Sequence, residues 1–209
     1  MRSRSVNKEQ DVELNKEIYI HVGPPKTGTS AVQKWLSSNQ SFLRNHGVFY
    51  PSHSVDVNGV SSGNVKSIYD SDEKKQLCLN EVRLSDLLDA FNASDYSVLL
   101  LSSEFFFRKM DELKTHIPNA RFIAYVRNTT ELKESNYNPS VKRHFQLEKM
   151  ITARSKNLQY MTRLIEFTGM HGANDLYLRL YEDKYFTRGN IVSDLLSIIG
   201  IDANVTLPL

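Results

Sequence analysis

The stretch Ile18-Tyr19-Ile20-His21-Val22-Gly23-Pro24-Pro25-Lys26-Thr27-Gly28-Thr29-Ser30 constrains this chain more than any other. Its first five residues alternate and include three β-branched residues, so they predict a short buried strand. The next eight form a Gly/Pro turn ending in hydroxyls, and Ala31-Val32-Gln33-Lys34-Trp35-Leu36 opens a helix. Strand, tight glycine turn and helix N-terminus together make an anion cradle. Backbone N–H groups converge there, the helix dipole adds partial positive charge, and Lys26, Thr27, Thr29 and Ser30 add donors.

The place of the lysine narrows the choice of anion. A nucleoside-triphosphate loop reads G-x-x-x-x-G-K-[ST], with the lysine directly after the second glycine. Gly23 and Gly28 keep that spacing, but Thr29 occupies the lysine position and the lysine stands inside the turn at Lys26. A nucleotide kinase is therefore the weaker alternative, because it loses its phosphate-bridging lysine. A catalytically inactive nucleotide-binding protein is the other alternative.

The rest of the chain reads as repeated βα units. Val48-Phe49-Tyr50 is a short strand, Tyr96 to Leu101 a continuous apolar run suited to a central parallel strand, and Arg121 to Val126 another. Residues 76–92 carry an amphipathic helix pattern, 145–168 a longer one, Asp175 to Leu180 a late strand, and Ile191 to Ile199 a closing helix stopped by Gly200. Residues 52–75 read as a long irregular loop. This order predicts an α/β fold: a P-loop-type parallel β-sheet flanked by helices on both faces. Ligands in such folds sit outside the carboxyl ends of the strands. The 23–30 loop, the loop after residue 50, Glu104 and Arg127 all fall there.

Length and charge bound the rest. The 209 residues are 40% hydrophobic, enough for one globular domain, read as 17–209 behind a polar, flexible arm over 1–16. A net charge of +2 argues against nucleic acid as a partner. The single cysteine, Cys78, rules out an internal disulfide and suits a reducing compartment, so a cytoplasmic location is expected. No apolar run approaches 18 residues, and no stable membrane insertion is expected. No carboxylate pair has metal-ligand spacing.

Pro-Lys-Thr-Gly-Thr-Ser after a hydrophobic strand resembles the 5′-phosphosulfate loop of sulfotransferases that use 3′-phosphoadenosine 5′-phosphosulfate (PAPS). A second motif supports the likeness: Arg127, then Ser135 eight residues on, then Tyr137, resembles the 3′-phosphate site of that family, with Thr129 where proline is common. Tyr181-Glu182-Asp183 before the closing helix resembles the segment whose tyrosine lies near the adenine. The resemblance covers roughly residues 18–40 and 97–200 and leaves 51–95 unmatched. It implies a PAPS-dependent enzyme that sulfates a hydroxyl or amine without a metal, on a carbohydrate in the likeness of the short carbohydrate-type forms. Cofactor contacts fall to Lys26, Thr27, Gly28, Thr29, Ser30, Arg127, Ser135 and Tyr181. Lys26 neutralises the leaving phosphate, Glu104 is the first choice of base with its pKa raised by an apolar surround, and His53 is the second.

Overall fold

The computed structural model describes residues 15–53, 62–127 and 157–202. Five parallel strands form the main sheet: β1 (Glu17–His21), β2 (Val48–Phe49), β5 (Val98–Ser102), β6 (Arg121–Val126) and β7 (Leu176–Leu180), in the order β2-β5-β1-β6-β7. The strand that carries the glycine loop is therefore the central one. Strands β3 (Tyr69–Ser71) and β4 (Leu77–Leu79) pair antiparallel as a separate hairpin.

Alternation along β1 explains why both faces are covered. Ile18, Ile20 and Val22 join one core with Leu99, Leu101, Phe122 and Ala124. Over that core lie α3 (Glu81–Asn92), α4 (Met110–His116) and α5 (Asn157–His171), which contribute Phe91, Leu113 and Phe167. Tyr19 points the other way, to Leu100, Ile123 and Tyr125, under α1 (Thr29–Ser38) and α6 (Ile191–Ile198). A short helix, α2 (Gln40–Asn45), links α1 to β2. The expected α/β architecture with helices on both faces is what forms.

Three expectations change. The amphipathic pattern from residue 76 splits, because Leu77 and Leu79 alternate as a strand and Asn80 then caps α3 by accepting from the Arg83 N–H at 3.0 Å. The loop expected over 52–75 is shorter: a 3-10 turn at Val65–Ser67 and strand β3 bury Val65, Ile68 and Tyr69 in the core. Lys16, counted with the arm, is anchored, donating to the carbonyls of Phe91, Ser94 and Tyr96 at the end of α3. Of the helix expected over 145–168, the part before Asn157 lies outside the described residues. Among the described residues no helix is long and apolar enough to cross a membrane.

One buried carboxylate ties α6 to the sheet. Asp194 is fully buried and accepts from Tyr125 Oη at 2.9 Å, Arg179 Nε at 3.1 Å and Nη2 at 2.5 Å, and the Thr187 N–H at 3.0 Å. Burial pushes its pKa up, but these donors outweigh it and the net shift is downward. Its stabilisation is therefore complete at neutral pH and lost as pH falls below the ordinary carboxylate value. Asp194→Ala strands the donors of three residues, and a loss of about 3 kcal/mol is expected, read as a fall in Tm of roughly 6–12 °C by calorimetry.

Candidate functional site

The loop after β1 is built from two left-handed residues. Lys26 has φ 71° and Gly28 φ 75°, and the second leads directly into α1. Gly28 is the N-cap, and no side chain caps the helix. The Ala31 N–H donates to Gly28 O at 3.0 Å, and the Thr29 and Ser30 amides ahead of it keep their donors for something else. Thr27 is buried and braces the turn by donating to Pro24 O at 2.7 Å. Lys26 and Ser30 are exposed, and Thr29 is buried.

Glycine is required at both ends of this loop. A Cβ on Gly23 would fall 2.0 Å from Thr29 Oγ1. One on Gly28 would fall 2.7 Å from Tyr181 Cε2 and 2.9 Å from Ile191 Cδ1. Tyr181 thus packs directly on the loop, carried there from β7 by its N–H, which donates to Val126 O at 2.7 Å. Arg127 comes from the end of β6. Its guanidinium lies 5.2 Å from the centre of the Tyr181 ring, and Nη1 reaches Lys26 O at 3.5 Å. Three stretches separated by about 50 to 100 residues in sequence meet here, as the motifs imply. Ser135 and Tyr137 lie outside the described residues.

The other two candidates stand on the opposite side of the loop, at the ends of β5 and β2. Glu104 opens a 3-10 turn at Glu104–Lys109, capped by Ser103, whose Oγ accepts from the Phe105 N–H. The expected apolar surround is not there, because Glu104 is exposed. The strand ends at Ser102 and the Ser103 cap turns the next residue out. His53 follows β2 and is half-buried, with Tyr50 Oη 3.3 Å from Nδ1 and its Nε2 buried. Burial lowers its pKa.

Two features of this end were missed in the sequence. Asn64 is buried and clasps the end of β5: its N–H donates to Ser102 O at 3.1 Å and its Oδ1 accepts from the Ser102 N–H at 2.8 Å. Gly63, with φ +67°, lets the chain pass so close that a Cβ would lie 1.8 Å from Ser102 O. The second is His21, fully buried at the end of β1, with Nδ1 2.9 Å from Ser102 Oγ. Alternation alone marks it only as a buried strand position.

No protein-family model and no curated protein matches this chain. Solved structures do. A sulfotransferase from Alicyclobacillus acidocaldarius superposes with a TM-score of 0.58 at 14% identity, over 92% of this chain and 84% of that one. The sulfotransferase domain from the curacin biosynthetic pathway gives 0.50 at 15% identity, over 91% and 75%. The chain is thus similar in fold to sulfotransferases.

Burial of His21 lowers its pKa from 6.5 to about 4. Below pH 6.5 the unfolded chain takes up a proton that the folded one refuses, so stability falls as pH drops from 6.5 towards 4. The loss is up to about 1.4 kcal/mol per pH unit from this group alone, and His53 adds to it with the same sign. Urea melts at pH 7.5 and 5 are expected to show it, and His21→Leu to flatten the slope.

Proposed function

We propose that this chain is a sulfotransferase that moves the sulfonyl group of PAPS to an acceptor hydroxyl or amine, with a carbohydrate as the acceptor class. The observation that carries the reading is the meeting of Arg127, Tyr181 and the Lys26–Gly28 turn around an uncapped helix N-terminus. The fold shared with sulfotransferases supports it.

In this reading the 26–30 amides and the Ser30 hydroxyl face the 5′-phosphate, Thr29 Oγ1 faces the sulfonyl group it carries, and Thr27 contributes its amide while its hydroxyl braces the turn. The Arg127 fork takes the 3′-phosphate, with Ser135 assigned beside it on the motif alone. Tyr181 offers the aromatic face for the purine. The acceptor oxygen or nitrogen attacks sulfur from the β5–β2 side while the bond from sulfur to the bridging phosphate oxygen breaks. The electron pair ends on that oxygen, where the Lys26 ammonium neutralises it, and 3′-phosphoadenosine 5′-phosphate (PAP) leaves. One such preorganised cation is worth about 3 kcal/mol. The acceptor proton passes to Glu104, preferred over His53 because its carboxylate is open to solvent whereas His53 Nε2 is sealed. The carbohydrate assignment draws on the polar character of that side, where Ser62 and Glu104 are exposed. The exposed free thiol of Cys78 supports a cytoplasmic setting.

Calorimetry with PAP and with Mg-ATP tests the cofactor class. PAP is expected to bind preferentially, and Arg127→Ala to weaken it about 10- to 100-fold, as for loss of a charged hydrogen-bond pair. Preference for Mg-ATP, indifferent to Arg127, sinks the reading in favour of a kinase. Glu104→Gln is expected to cut turnover at least a hundredfold and leave PAP affinity unchanged. Turnover that survives Glu104→Gln but not His53→Gln moves the base to His53.

A further inference from the structure

Among the described residues, four buried side-chain polar atoms have no hydrogen-bond partner: His21 Nε2, Thr29 Oγ1, Gln33 Nε2 and His53 Nε2. All four belong to residues at the carboxyl end of the sheet or on α1 beside it. An unmet buried polar atom costs about 1–3 kcal/mol, and native chains carry few of them. Their concentration beside one anion loop needs a physical account.

Three of them surround the junction of β1, β5 and α1. Thr29 and Gln33 lie one turn apart on the same buried face of α1. Both face bare main chain. Thr29 Oγ1 sits against Gly23, and Gln33 Nε2 lies 2.9 Å from where a Gly63 Cβ would be, beside Ser102 O. His21 approaches the same Ser102 from the neighbouring strand, with Nδ1 2.9 Å from the hydroxyl. Burial keeps the imidazole neutral. When the Ser102 hydroxyl donates to Nδ1, Nε2 carries the ring proton. The cluster then offers a hydroxyl, a carboxamide N–H and an imidazole N–H, three neutral donors. Such a set can donate three hydrogen bonds without adding charge, which suits the unprotonated oxygens of a sulfonyl group.

We propose that His21, Thr29 and Gln33 form a neutral oxyanion pocket that takes the oxygens of the sulfonyl group being transferred. The inference rests on the sulfonyl-transfer reading above. Its position fits the direction of transfer. The pocket lies on the β5 side of the loop, whereas Arg127 and Tyr181 lie on the β6–β7 side. The nucleotide and the sulfonyl group are therefore held by separate residues. PAP has the nucleotide without the sulfonyl group, so the ratio of PAPS to PAP affinity reports on the pocket alone.

The experiment is calorimetry of PAP and PAPS on the wild type, Gln33→Met and Gln33→Glu, with a thermal melt of each. Gln33→Met keeps the shape and removes the donor. It is expected to lower PAPS affinity about tenfold, to leave PAP within twofold, and to leave Tm unchanged or higher, since an unmet group has gone. Gln33→Glu puts a carboxylate against the sulfonyl oxygens and is expected to lose more PAPS affinity still, again sparing PAP. It keeps the test open if the Met variant fails to fold. An unchanged PAPS-to-PAP ratio in the folded variants overturns the pocket, whether both affinities fall together or neither moves. That result leaves Gln33 with packing or a buried water alone. A wild type that does not bind PAP fails differently: it overturns the sulfotransferase reading first and this inference with it.

Discussion

The loop between β1 and α1 depends on two left-handed residues, and much of the candidate site depends on the loop. At Gly28 that conformation is natural. At Lys26 it is strained by about 1 kcal/mol, because a Cβ crowds the backbone there. The strain is held by neighbours rather than by the turn itself. Thr27 ties back to Pro24, Thr29 sits against Gly23, and Tyr181 and Ile191 close over Gly28. The last two bring in the end of β7 and the start of α6, and α6 is fixed to the sheet through Asp194. A helix start left without a side-chain cap is thus supported from three elements, with its amides directed outwards.

The strand order then divides the site. With β1 central, β6 and β7 lie on one side of the loop and β5 and β2 on the other. Arg127 and Tyr181 occupy the first side, a cation and an aromatic face suited to a phosphorylated purine. Ser102, Ser103, Glu104, Asn64 and His53 occupy the second, all polar. The proposed reaction between two substrates would use this separation, since each must reach the loop without displacing the other.

The sheet was legible because its signals are local. A continuous apolar run at 98–101 can only be a strand buried on both faces, and Gly23, Lys26 and Gly28 mark a turn of one kind. What escaped is what depends on pairing across the chain. Nothing near Asn64 in sequence says that its amide meets Ser102, 38 residues on, or that Arg179 will find Asp194 beside Tyr125. Glu104 shows the opposite error. An apolar run before it implies an apolar surround, but the run belongs to the strand, and one capping serine turns the next residue to solvent. The segment at 76–80 failed for a similar reason: leucines two apart fit a strand as well as a helix edge, and only the cap at Asn80 decides.

Neutral donors and a charged one do different work at such a centre. Lys26 is exposed, so its charge is screened until a ligand covers it, and in the proposed reading it then acts on the oxygen where charge builds up. His21, Thr29 and Gln33 are already dry and add no net charge, so in the proposed pocket they would direct oxygens without holding an anion after it has reacted. That matters for a group passing from one anion to a neutral acceptor. In the proposed reaction a buried ammonium in the same place would bind the sulfonyl group before, during and after transfer, and uniform binding does not speed a reaction. Dipoles that orient the group, together with one cation on the leaving oxygen, confine the strong interaction to the bond that breaks.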